Sequence, residues 1–269
     1  MASVPEYPKS SEFHSDAEAG NGSSSMAERR AYATPYESLT FSMVTRARRE
    51  LTVTLAAQPV FDLGRSVAVS RRIRRTVRHH GGQAALFALG KRTLDVVDLK
   101  RIDLQTLKHG LELLHHGMND SGVLPAFWRT VASSGGRFAL LCTELQHGPP
   151  RGGLLVEVMG GLEQTPPEAI AEAVSHFATE SMGVILHIAP DVSAAQRLSG
   201  IPAHCLAIDF AGVEHEGACD WEMAQRLITA ARQACPQVML LNLRPDRGLA
   251  AHAAGATHAV FSGMDAVTV

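Results

Sequence analysis

A series of eight short apolar runs, separated by stretches with helical periodicity, does most to constrain the fold of this 269-residue chain. They cover residues 58–63, 67–75, 123–127, 154–158, 184–188, 205–210, 238–243 and 258–261. Near-continuous apolarity over a few residues describes a strand buried on both faces, as in a sheet wrapped by helices. The intervening helices are marked in the sequence. Thr165-Pro166-Pro167-Glu168 is a capping box with prolines in the first turn, and it opens an apolar face of Ile170, Ala173, Val174 and Phe177. Asp220 is placed to cap a second helix, with Met223, Ala224, Leu227, Ile228 and Ala231 inward and Pro236 past its end. A third spans 99–116 through Ile102, Leu104, Leu107, Leu111 and Leu114, and shorter candidates cover 137–146 and 247–254. Repeated strand–helix units with eight strands predict an α/β (βα)8 TIM-barrel-like fold. A doubly wound open sheet satisfies the same periodicity.

Composition bounds the remainder. Hydrophobic residues make up 45% of the chain and its formal net charge is −2, which fits a soluble globular protein without whole-molecule affinity for nucleic acid or anionic membrane. No apolar run approaches the roughly 18 residues that cross a bilayer, and acidic residues interrupt the N-terminus where a signal peptide would be apolar. Cys142, Cys205, Cys219 and Cys235 are widely spaced and read as reduced thiols of a cytoplasmic protein. Residues 1–34 are poor in large apolar side chains and are expected to form a disordered tail, because they bury too little surface to offset ordering entropy. Residues 35–50, with Leu39, Phe41, Met43 and Val44 set against Arg46, Arg48 and Arg49, are expected to form a lead-in helix. The barrel is expected over 51–269.

The opening pair of runs also carries a resemblance. Gln58-Pro59-Val60-Phe61-Asp62-Leu63, then Val69-Ser70-Arg71-Arg72-Ile73-Arg74-Arg75, resembles the start of an EAL domain, where a Q-P-I strand precedes one ending E-A-L-L-R. The likeness extends over about 55–263 through Leu155-Val156-Glu157-Val158, the 193–202 helix, Leu206-Ala207-Ile208-Asp209 for L-K-I-D, and Leu240-Leu241-Asn242-Leu243-Arg244 for A-E-G-V-E. It implies a cyclic di-GMP phosphodiesterase-like barrel with metal ligands at the C-terminal ends of its strands. Most of those ligands are replaced. Arg71 (Ser70 in a register one residue shorter) stands where the first glutamate belongs, Pro125 replaces an asparagine, and Leu186 and His187 replace paired aspartates. Ala207 replaces the catalytic lysine, and Leu241 and Arg244 replace two glutamates; Glu157 and Asp209 are kept. A two-metal phosphodiesterase needs a carboxylate cluster, so the expectation is a non-enzyme without cofactor or metal.

Gln58 matches the glutamine that contacts cyclic di-GMP in the family, and Arg75 its phosphate-contacting arginine. The basic run 71–80 reads either as a solvated strand end or as an anion site. Adjacent histidines at 79–80 and 115–116 chelate poorly and read as surface residues. Glu157 reads either as a remnant ligand or as a buried carboxylate held by Arg71, Arg244 or both, since an unpaired buried carboxylate is costly. The expected function is a regulatory or scaffolding module with an unidentified protein partner in bacterial signalling. The alternatives are a non-hydrolysing cyclic di-GMP receptor and, less favoured, a residual phosphodiesterase. No nucleic-acid binding or membrane insertion is expected, and a homodimer is left open.

Overall fold

A computed structural model describes residues 38–79, 94–115, 121–150, 152–178, 182–211 and 218–263. The predicted tail, His80 and His116 lie outside the described residues, and so do the side chains of His79, Cys219 and Asp220.

Nine strands form one sheet in sequence order. They are β1 (Ser38–Val44), β2 (Glu50–Asp62), β3 (Val67–His79), β4 (Ser121–Phe127), β5 (Leu154–Met159), β6 (Met182–Ile188), β7 (Cys205–Asp209), β8 (Val238–Leu243) and β9 (His258–Phe261). A further β2–β9 pairing, through Phe61 with Ala259 and Asp62 with His258, closes β2 to β9 into an eight-stranded barrel. Strands β3 to β9 run parallel, while β2 is antiparallel to all three strands it pairs with, β1, β3 and β9. All eight apolar runs are barrel strands, and closure rules out the open sheet. Val60, Val123, Ile185, Cys205, Ala207, Met239, Leu241 and Val260 form the buried cluster inside it.

The described helices are α1 (Val96–His115), α2 (Trp128–Ala132), α3 (Ser134–His147), α4 (Pro167–Ala178), α5 (Val192–Arg197), α6 (Ala218–Ala234) and α7 (Gly248–Ala254), with 3-10 turns at Leu162–Gln164 and Pro245–Arg247. Asp95 caps α1 by accepting the Asp98 N–H at 2.8 Å. Ser133 caps α3 through the Gly136 N–H at 3.0 Å. Gly136 must be glycine, because a Cβ there would lie 1.9 Å from the Thr130 carbonyl oxygen. Helix α6 starts two residues before Asp220, so that residue is not its N-cap.

The lead-in helix is a correction: that segment holds β1, which pairs antiparallel with the first half of β2 from Ser38–Ala56 to Val44–Glu50. Leu39, Phe41 and Met43 alternate with Ser38, Thr40 and Ser42, the period of a half-buried strand. Phe41 lies against His109 of α1 with ring centroids 4.9 Å apart.

Candidate functional site

Strand parity decides what faces the barrel interior. Gln58 is paired with Arg72 in the β2–β3 register, and both are buried. Side chains alternate across a sheet, so Arg71 and Ile73 point the other way. Glu157 is paired with Pro125 on β4 and Ile185 on β6, in the middle of an apolar strand, and is fully buried.

The Arg72 fork meets both oxygens of Glu157: Nε donates to Oε2 at 2.6 Å and Nη2 to Oε1 at 2.9 Å. The other terminal nitrogen, Nη1, donates to Gln58 Oε1 at 2.9 Å. His187 Nδ1 lies 2.8 Å from Glu157 Oε1; an ionised carboxylate only accepts, so the imidazole is the donor. Burial pushes the Glu157 carboxyl up, but the charge of Arg72 and the hydrogen bonds from His187 and Arg72 outweigh it and hold the group at about 2. The expected internal ion pair is therefore present with a different arginine. Arg71 makes no ion pair with Glu157 because it leaves the opposite face of β3, and Arg244 turns to Asp246 at 2.9 Å beyond the end of β8.

Arg75 has the parity of Arg71 and is directed towards the helical layer. Its Nη1 donates to Asp103 Oδ1 at 2.7 Å and to Thr106 Oγ1 at 3.3 Å, both on α1, and its guanidinium lies 4.1 Å from the centroid of Phe127. Asp103 also accepts the Phe127 N–H. The position matched to a phosphate contact thus joins β3 to α1. Asp209, at the end of β7, accepts the Ala211 N–H at 2.8 Å and the Asn242 side-chain amide at 2.7 Å. Asn242 sits at a register shift in β8 with φ of 56°, where the resemblance has glycine; asparagine is among the few side chains that tolerate this left-handed conformation.

Gln58 and Glu157 are brought together through Arg72, while Arg75, Asp209 and Arg244 are engaged elsewhere and Arg71 lies on the other face of β3. The residues that sequence reasoning missed are Arg72 and His187 as partners of Glu157. No signal in the sequence separated Arg72 from its neighbour Arg71, because a shift of one residue exchanges the faces of a strand.

The resemblance implies divalent ions at this end of the barrel, and these residues do not fit them. Both Glu157 oxygens are engaged by cationic or N–H donors, and Asp209 Oδ1 is engaged by two more. Among the described residues no group of three or more His, Cys, Asp or Glu side chains is placed to hold a metal ion. A cation ~4 Å from the Arg72 guanidinium would meet a repulsion of about 4 kcal/mol per unit charge at an effective dielectric of ~20. A cavity of ≈ 20 Å³ beside His187, lined also by Gly161, Glu163 and Arg197, has room for about one water molecule.

An eight-stranded barrel with parallel strands and one antiparallel strand is the architecture of a recognised set of solved structures. The EAL domain of FimX from Pseudomonas aeruginosa, bound to c-di-GMP, is 16% identical, with a TM-score of 0.60 over 77% of this chain and 87% of that one. An EAL domain protein from Listeria monocytogenes is 12% identical, with a TM-score of 0.56 over 77% and 85%. The EAL enzyme Bd1971, with cAMP and cyclic-di-GMP bound, is 13% identical with a TM-score of 0.59 over 78% of this chain, which spans 60% of that protein. No family model matches the sequence, and no curated protein does. The chain has the EAL-domain fold. Among the described residues, no helix is long and apolar enough to cross a membrane.

Proposed function

We propose that this chain is a catalytically inactive EAL-fold domain acting as a regulatory or scaffolding protein-interaction module in bacterial signalling. One observation carries the reading: the guanidinium of Arg72 takes both oxygens of Glu157, the carboxylate that the resemblance assigns to metal. Ion-pairing replaces the ligand field, and Arg72 supplies the positive charge a metal would have brought. Two-metal phosphodiester hydrolysis needs ions to activate the attacking water and to stabilise the leaving oxygen, and among the described residues no group of three or more His, Cys, Asp or Glu side chains is placed to hold them.

A second reading, a non-hydrolysing cyclic di-GMP receptor, is supported by the c-di-GMP-bound FimX structure. It is weakened because Gln58 and Arg75, its two expected contacts, are committed to Arg72 and Asp103.

Incubation with cyclic di-GMP and millimolar Mg2+ or Mn2+, combined with calorimetry, tests both. The expected result is no linear product and no binding heat. Cleavage at an enzyme-like rate would overturn the inactive reading, and saturable heat without product would select the receptor.

A further inference from the structure

The barrel has no edge, but the sheet does. β1 is its terminal strand, and among the described residues β1 pairs only with β2. An edge strand presents a row of backbone N–H and C=O groups to any extended chain, and proteins usually protect it with charges, prolines or bulges; here one carbonyl, that of Val44 at the strand's last residue, is already taken by Arg101 Nη1 at 3.0 Å. The strand Ser-Leu-Thr-Phe-Ser-Met-Val has no charge and no proline, and its pairing with β2 has no register shift. Leu39 and Phe41 pack on the core yet are only partly buried, so a further strand beside β1 would complete their burial.

The turn after β1 adds charge. Thr45 accepts the Arg48 N–H through its carbonyl and the Arg49 N–H through its hydroxyl, at 2.9 and 3.0 Å. Arg46, Arg48 and Arg49 are thereby held, exposed, at the C-terminal end of the edge. The facing carboxylates are Asp95, which meets Arg46 at 3.4 Å, Asp98, which accepts the Arg46 N–H and meets Arg101 at 3.6 Å, and Glu50 at the start of β2. Among the described residues, neither Arg48 nor Arg49 has an ion-pair partner.

We propose that the outer edge of β1 receives an extended acidic segment of a partner protein, which adds as a further strand and sets its carboxylates against Arg46, Arg48 and Arg49. Backbone hydrogen bonds to β1 supply affinity, apolar residues at alternate positions cover Leu39 and Phe41, and the acidic end fixes direction. Charge selects this occupant over a second copy, because β1 carries no carboxylate to answer the arginines. The inference rests on the protein-interaction reading and names the partner's chemistry.

The test uses the full chain and two fluorescein-labelled peptides of alternating valine and threonine, one ending in three glutamates and its twin in three lysines. The glutamate peptide should bind saturably, slow amide hydrogen exchange along β1, and lose about tenfold in affinity with Arg48→Glu/Arg49→Glu, as expected for two exposed charge contacts. Equal binding of the lysine twin, no binding, or an affinity unchanged in the double variant would overturn the proposal. So would dimerisation in sedimentation that the glutamate peptide fails to displace, which would assign the edge to a second copy. Cyclic di-GMP cleavage by a protein that still binds the peptide would refute the inactive reading alone; absence of both would refute this proposal alone.

Discussion

Arg72 and Arg75 leave the same strand three positions apart, on opposite faces, and each ends in a buried ion pair. Inside the barrel, Arg72 meets Glu157 with two parallel hydrogen bonds, and His187 and Gln58 complete the group. On the helical side, Arg75 offers Asp103 a single nitrogen, and its Nε has no hydrogen-bond partner. The two carboxyls respond in opposite directions. Glu157 is held at about 2, because Arg72 and His187 overcome burial. Asp103 is raised above its usual value of 3.8, because burial outweighs the charge of Arg75 and the hydrogen bonds it accepts. Burial alone does not decide the character of an internal ion pair; the number and geometry of donors do.

The largest expected effect follows from removing one charge of each pair. Glu157→Gln leaves Arg72 buried beside a neutral amide and should destabilise the fold by about 3–5 kcal/mol in urea denaturation. Asp103→Asn removes a carboxylate that burial already penalises, and should cost about 1–3 kcal/mol. Equal losses, or a larger loss at Asp103, would break the comparison.

Acid titration should separate the pairs by sign. Holding the Glu157 carboxyl at about 2 rather than its usual 4.5 corresponds to about 3 kcal/mol. That stability is fully present above pH 4.5 and is lost as pH falls towards 2. A raised carboxyl contributes with the opposite slope, so Asp103 favours the fold most below pH 3.8 and less as pH rises through its folded value. The stability difference between wild type and Glu157→Gln should therefore shrink on acidification, while that for Asp103→Asn grows. Parallel curves would show that the two carboxyls do not differ.

The fold was legible because buried strands announce themselves by apolarity; β8 and β9 match the apolar runs 238–243 and 258–261 end to end. β1 was missed although its period-two alternation is plain, because Met43-Val44 and the arginines behind them also suit a helix. Glu157 was legible as a lone carboxylate in an apolar strand. Its partner was not, since Arg71 and Arg72 are adjacent letters and a shift of one residue exchanges the faces of a strand. The second pair was hidden for a different reason. Asp103 lies at 0% exposure in the middle of an amphipathic helix, and periodicity does not say which polar residue turns inward to meet a strand.

The smallest expected effects come from the uncharged acceptors that assist each arginine. Gln58 Oε1 takes the third nitrogen of Arg72 at 2.9 Å, while Thr106 Oγ1 takes Arg75 Nη1 at 3.3 Å. The shorter bond serves a guanidinium whose other two nitrogens are already committed, so Gln58→Leu leaves one buried charged donor with nowhere to turn. That should cost about 1–3 kcal/mol. Arg75 Nη1 keeps Asp103 at 2.7 Å when the hydroxyl is lost, and Thr106→Val fills the same volume, so its cost should stay below about 1 kcal/mol. The ratio matters more than either value. If Thr106→Val proves as costly as Gln58→Leu, the longer contact is as necessary to Arg75 as the amide is to Arg72. The interior pair would then owe its distinction to the two-pronged contact of Arg72 and to His187, and His187→Ala should bring the acid-titration curve of Glu157 towards that of Asp103.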